Sequence, residues 1–279
     1  MKATGAMTPA AAAAATLAPA VAERWWWRAL VGALLPLALL ILWQIVGTAI
    51  GTPRTPLPSK IVAAAITMIA SGDLPLGIAQ SLGRVFGGFL IAAGVAIPLG
   101  LAMGWSRAVE RSADPLIETF RPVAAIAVLP LAILWFGTGT SAAVAIVAYA
   151  AFFPLIVNTV AGAKTINPTL VEAAMTMGLD RLSIIRTVIV PAAMPAIGVG
   201  LRIAMGVGWT AIVAAELAVG AKAGGGGSGG IGQMMFVFYA YSIELNRIIV
   251  CMIAVGVVAL VLDRLIRWMM RRLMPWSEA

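Results

Sequence analysis

PTLVEAAMTMGLDRLSIIRTVIVPAAMP, residues 168 to 195, decides how the rest of the chain is read. Glu172, Asp180, Arg181 and Arg186 fall close together in it, and charge at that density is too costly for the core of a bilayer. Yet the stretch is built to be helical. Asn167 is placed to cap a helix that Pro168 opens at its first position. Leu170, Ala173, Ala174 and Met177 recur at i, i+3, i+4 and i+7 and predict one apolar face, with Thr169, Glu172 and Thr176 elsewhere. Gly178 ends that helix. Asp180 is placed to cap the next, whose Leu182, Ile185 and Ile189 make a second stripe before Pro191 and Pro195 stop it. The expectation is a short helix, a glycine turn and a second short helix, lying across one mouth of a membrane bundle.

What surrounds this stretch is apolar almost throughout. The chain is 62% hydrophobic and 11% charged, against roughly 45–50% and 25% in soluble domains, so the count that matters is of membrane spans, each about 20 apolar residues long. A net charge of +8 belongs, in such a chain, to Lys and Arg held on one side of a bilayer, and nucleic acid is not expected as a partner. Cys251 stands alone in an apolar segment, which excludes a disulfide framework and a thiolate metal site. No histidine is present, so imidazole catalysis, metal ligation and proton relays through histidine are excluded. The glycine run GGGGSGG at 224–230 has neither a following Lys-Ser/Thr nor a preceding strand, so it is no phosphate loop and reads as a flexible outer connection. No catalytic constellation, cofactor site or metal site is found, and an enzymatic role for the isolated chain is not expected.

In order, residues 1–28 read as a disordered Ala-rich tail ending in an interfacial anchor, Trp25, Trp26 and Trp27 between Arg24 and Arg28; residues 29–279 read as the membrane domain. The first span is expected at 29–50. A short surface helix follows from about Ser59, a fair cap, to Ala70, with Ile61, Ala64, Ala65 and Met68 on one face. The second span is expected at about 81–103, glycine-rich and suited to close helix packing. Residues 105–121 read as a polar connector with an interfacial helix, Arg121 marking re-entry. Further spans are expected at about 123–136, which needs part of the preceding helix to cross, and at 142–163, 196–217 and 246–268. The fold class is therefore all-α integral membrane with six transmembrane helices, and the polar loop occupies about 164–195.

Six spans put both ends on one side. Lys2, Arg24, Arg28, Arg107, Arg111, Lys164, Arg181, Arg186, Arg264, Arg267, Arg271 and Arg272 share that side, against Arg54, Lys60 and Lys222 opposite, so both termini and the loop are expected to be cytoplasmic. Within the spans, the candidates for lining a pathway are Asn158, Arg202, Trp209, Thr210 and Glu216, with Gln44 and Arg84 behind them. Arg202 also has a snorkelling alternative, Glu216 a purely structural hydrogen-bonding one, and Asn158 a role as interhelical glue.

The E-A-A of residues 172–174, Gly178 six residues after Glu172, and the apolar run ending in Pro191 resemble the cytoplasmic EAA loop of binding-protein-dependent ABC transporter permeases. SLGRVFGGFLIA at 81–92, LPLAILWFGTG at 129–139 and LDRLIRW at 262–268 are similar to the nitrate/sulfonate/taurine branch, so the resemblance covers the chain from about residue 55 onward. It implies a MetI-like architecture in a bacterial inner membrane and a subunit that works as a dimer with two cytoplasmic ATP-binding subunits and an extracytoplasmic solute-binding protein, carrying a small anionic solute. It also implies that the loop docks on the ATPase, Glu172 orienting the docking helix, Ala173 and Ala174 keeping its surface flat, and Gly178 permitting the turn. The glycine run before Gly-Ile-Gly at 230–232 is longer than the family leads one to expect. An ion-gradient-driven secondary transporter is the alternative; it calls for inverted repeats and a charged or broken-helix coupling site at the midplane, which the sequence does not clearly show. A membrane scaffold is a third reading and leaves the EAA pattern unexplained.

Overall fold

The helices of the second and larger part of the chain touch through residues with almost no side chain. A computed structural model describes residues 25–52, 55–219 and 229–274, with side chains from Leu34 onward. The expected N-terminal tail, the Trp25–Trp27 anchor contacts, and most of the glycine run lie outside the described residues or side chains. The chain divides into two compact units, Met1–Lys60 and Ile61–Ala279.

In the first unit, α1 is Trp25–Ile50. Helix α2, Pro58–Ala70, begins here and continues into the second unit. Its first position is proline, and Ser59 is inside the helix rather than capping it: the Ser59 N–H donates to Gln44 Oε1 at 3.2 Å. Beyond the junction, Ile61 and Met68 are buried with Ala64 and Ala65 packed beside them, the face expected from their spacing.

In the second unit, α3 (Asp73–Trp105) and α6 (Thr140–Lys164) run side by side in the same direction. A Cβ on Gly88 would lie 2.6 Å from the Val144 carbonyl oxygen, on Gly100 2.8 Å from Thr159, and on Gly104 2.2 Å from Ala163. Close approach of this kind is how helices gain packing energy where lipid removes the hydrophobic driving force between them. Helix α9, Val190–Val219, lies antiparallel to α6: Gly162 faces Ala193 and Ala196, Gly200 faces Leu155 and Asn158, and Gly208 faces Val147. Helix α11, Leu245–Leu273, is antiparallel to α9 in turn, with Gly198 against Met270 and the Trp209 indole N–H donating to the Val255 carbonyl at 3.1 Å.

The connection from α3 to α6 is α4 (Arg107–Phe120) and α5 (Ala125–Phe136), bent by 100° at the break between them. After α6 come α7 (Pro168–Thr176) and α8 (Arg181–Ile184), a π-helical turn at Ile185–Ile189, and α9. A seven-residue α10 (Ile231–Val237) and a second π-turn (Phe238–Ser242) precede α11, with Ile243 left-handed at φ 50° between them.

Six spans are not found. Among the described residues, four helical stretches are long and apolar enough to cross a membrane, Asp73–Trp105, Thr140–Lys164, Arg181–Ala218 and Leu245–Leu273, or five if the bent pair counts as one. For α5 the reason is length: its 12 residues reach only about 18 Å at 1.5 Å per residue, short of a hydrocarbon core of about 30 Å. Helix α1 has 26 residues, but its side chains are described only over Leu34–Ile50, so it is not counted among the four. With a 100° bend between them, α4 and α5 make at most one broken span together and not a straight one. Nor do Pro191 and Pro195 stop a helix: Arg181–Ala218 is one continuous stretch. The π-turn ends with Val190 N–H bonded to Ile185 O, directly before the residue that has no N–H to give, so the looser i→i+5 pattern carries the helix into the proline.

Candidate functional site

The 165–189 loop is fixed at each joint by its own sequence. Asn167 Oδ1 accepts the Thr169 N–H at 3.0 Å, with Pro168 in the first turn. At the other end, Gly178 is left-handed at φ 80°. There Leu179 N–H donates to Ala174 O at 3.2 Å and Gly178 N–H to Met175 O at 3.0 Å, the paired bonds of a Schellman turn. Asp180 holds the cap position of α8, but its carboxylate takes the Ser183 hydroxyl instead of a first-turn N–H. That hydroxyl holds the Asp180 carboxyl below its usual range.

The face that packs matches the i, i+3, i+4, i+7 pattern only in part: Ala174 of the first stripe and Ile185 and Ile189 of the second pack inward, and the other members do not. Ala174, Ile184 and Ile189 are buried, against Val171 and against Leu101 and Trp105 at the end of α3. Leu170, Met175, Met177 and Leu182 are more than half exposed, and Glu172, Ala173 and Gly178 are exposed among them. The loop is thus seated through Ala174 and presents an uncovered apolar surface around Glu172.

The five intramembrane candidates separate. Glu216 is 1% exposed and enclosed: Ser81 Oγ lies 2.8 Å from Oε2, Arg84 Nη1 2.6 Å from Oε1, and the Gly232 N–H donates to Oε2 at 3.1 Å. Ser81 Oγ also accepts the Ile231 N–H at 3.0 Å. This knot ties α3, α9 and the start of α10 together, and it explains Gly-Ile-Gly at 230–232: a Cβ on Gly230 would stand 2.1 Å from Ser81 Oγ, and on Gly232 2.5 Å from the Val213 carbonyl. Trp209 is buried against α11. Arg202 forks onto Asp263, which Arg267 shares at 2.7 Å, pinning α9 to α11. Thr210 is exposed and donates to Val207 O at 2.9 Å within its own helix. Asn158 Nδ2 donates to Pro154 O at 2.7 Å, and of the five only Asn158 lines the cavity of about 420 Å³ that opens at the α4–α5 break. Among the described residues no three His, Cys, Asp or Glu side chains are grouped to hold a metal.

Arg121 and Tyr149 line the same cavity, and neither stood out in the sequence as more than a boundary arginine and a span tyrosine. The signal for Arg121 was nevertheless there: Arg107, Arg111, Asp114, Glu118 and Arg121 repeat at helical spacing on one side of α4, all exposed, opposite Val109, Ala113 and Ile117, which pack inward.

Long apolar helices packed through glycines, with a polar helical loop seated at one end, define a multi-pass membrane protein of the permease class. Residues 96–275 match the family of binding-protein-dependent transport system inner membrane components, more than half of the chain, and the protein belongs to that family; it is a membrane permease subunit. It is 34% identical over 245 residues to the taurine transport system permease protein TauC of Escherichia coli, covering 85% of this chain and 86% of that one. It is 33% identical over 262 residues to the bicarbonate transport system permease protein CmpB of Synechococcus elongatus, covering 88% and 91%. The fold is similar to an inward-facing MetNI methionine ABC transporter structure, with TM-score 0.58 and 22% identity, covering 72% of this chain and 94% of that one.

Proposed function

We propose that this chain is the permease subunit of an ATP-driven importer of a small anion, and that the 165–189 loop is where an ATPase engages it. The observation that carries the proposal is the uncovered apolar surface of Leu170, Met175, Met177 and Leu182 around Glu172 on a loop too charged to be covered by lipid, since exposed patches with a polar rim mark protein interfaces. Glu172 orients α7 in the ATPase cleft, exposed Ala173 keeps the contact close, Ala174 anchors the helix from behind, and Gly178 supplies the turn. Two permease copies with two ATP-binding subunits, fed by an extracytoplasmic binding protein, form the working unit. The anion reading rests on the likeness to permeases named for taurine and bicarbonate transport.

The loop side is the cytoplasmic one. Because α9 and α11 are antiparallel, the end of α11, with Arg267, Arg271 and Arg272, shares that side with Arg181 and Arg186, as basic residues do at an inner face. The same charge rule assigns Lys2, Arg24 and Arg28 to it, a placement that rests on charge alone. The test is co-purification from membranes: wild type brings down a cytoplasmic ATPase, and Glu172→Lys inserts normally but loses both the ATPase and solute uptake. A mutant that keeps both overturns the role of Glu172, and a folded wild type that purifies without any ATPase overturns the importer reading.

A further inference from the structure

We propose that the cavity at the α4–α5 break is a station for a small oxyanion part-way through the membrane, with Arg121 as its charge and the polar face of α4 as its way out toward the loop side. The inference deepens the importer reading and rests on it for direction and energy, but not for the chemistry of the site.

Helix α4 climbs. Glu110 pairs with Lys164, the last residue of α6, at 2.5 Å; Ile117 packs against Ile156; and the Tyr149 hydroxyl donates to Phe120 O at 2.9 Å. From Lys164 back to Tyr149 is about 22 Å of α6 at 1.5 Å per residue, more than half the length of that helix. Helix α4 is therefore not a surface connector. It carries Arg107, Arg111, Asp114, Glu118 and Arg121 along one exposed face from the end of the bundle to past its middle. Ionisable side chains at such depth face a water-filled space or a protein partner and not lipid. At the top of the stripe the helix breaks.

The break is held in place. Tyr149 bonds Phe120 O and also approaches Val123 O at 3.4 Å, so one hydroxyl staples both sides of Arg121–Pro122, and Phe153 braces the tyrosine ring edge-on with centroids 5.0 Å apart. Tyr149 is in this sense a positioning residue. The arginine it positions is 52% exposed and, among the described residues, its side chain is engaged only by Glu118, at 3.6 Å, which leaves most of its five N–H donors available. Beside it lies a volume of about 420 Å³ walled by Phe153, Ile203, Val207 and the amide-bearing Asn158, ample for a solute of a few heavy atoms. A guanidinium against apolar walls suits a compact oxyanion with a short organic body: a sulfonate or carboxylate on the arginine, the body on the rings.

The experiment places a single cysteine at Val123, on the cavity wall, in a Cys251→Ala background and compares its reaction with anionic sulfonatoethyl and cationic trimethylammonioethyl methanethiosulfonate in membranes containing the full chain. With Arg121 present the anionic reagent is favoured by about tenfold relative to a simple thiol in solution, the scale expected of a charge-lined cleft. Arg121→Gln abolishes the preference and Arg121→Lys retains it, the lysine variant showing that the fold tolerates change there. A rate ratio of the two reagents equal to that of the simple thiol with Arg121 present, or a preference that survives Arg121→Gln, overturns the proposal. Co-purification of the ATPase in the same membranes reports separately on the importer reading, so failure of one is not mistaken for failure of the other.

Discussion

At Asp180 one hydroxyl sets the chemistry of a loop joint. The Ser183 hydroxyl bonds the carboxylate and lowers its pKa. A carboxyl whose folded pKa is depressed stabilises the folded loop fully above its ordinary value near 3.8, and the contribution is lost as pH falls through the lower, folded value. Ser183→Ala therefore moves the Asp180 titration upward toward the ordinary value and weakens the loop at neutral pH. The carbon-13 shift of the Asp180 carboxyl, assigned by its loss in Asp180→Asn, reads this directly; a midpoint that stays put would show that the hydroxyl is irrelevant to the carboxylate. Asn167, Pro168 and Gly178 were legible in the sequence because capping and left-handed turns are decided within three or four residues. The packed face of α7 was legible only at Ala174: the periodicity that also chose Leu170 and Met177 cannot tell an apolar stripe that meets α3 from one left uncovered.

Between elements, the knot at Glu216 is the most demanding feature of the fold. Arg84 is 13% exposed and Glu216 1%, and breaking such a pair by removing one partner costs about 3–5 kcal/mol because the other charge stays buried, whereas removing both costs less. Glu216→Leu is accordingly more damaging to thermal stability in detergent than Arg84→Leu combined with Glu216→Leu, and the double-mutant cycle gives a non-additive term. Strict additivity would mean that the two charges act separately. Ser81 and Glu216 are 135 residues apart, which is why the sequence showed each as an isolated polar residue. The long helices α3, α6 and α11 were legible within several residues of their ends, since sustained apolar runs declare themselves. The broken pair α4–α5 was not, because hydropathy reports how much of a segment is apolar and says nothing of a 100° bend.

Over the whole second unit, one element links the loop to the knot. Arg181–Ala218 is 38 residues of continuous helix, about 57 Å long, with the loop joint at one end and Glu216 at the other. Arg202 and Trp209 fasten it to α11 on the way, so a tilt imposed at the loop is carried along the helix and not absorbed by bending. Its weakest place is the π-turn at Ile185–Ile189 followed by Pro191, where fewer ideal hydrogen bonds resist a kink. Two glycines inserted between Ile189 and Val190 leave α7, its Schellman turn and the exposed apolar surface unchanged while making that joint pliant. In the reconstituted transporter the ATPase still co-purifies and hydrolyses ATP, but solute uptake, measured with taurine and bicarbonate as probes, falls to the level without ATP. Uptake that survives the insertion would mean that the stroke reaches the membrane by another route, and the contact of Leu101 and Trp105 with the loop would make α3 the first place to look for it.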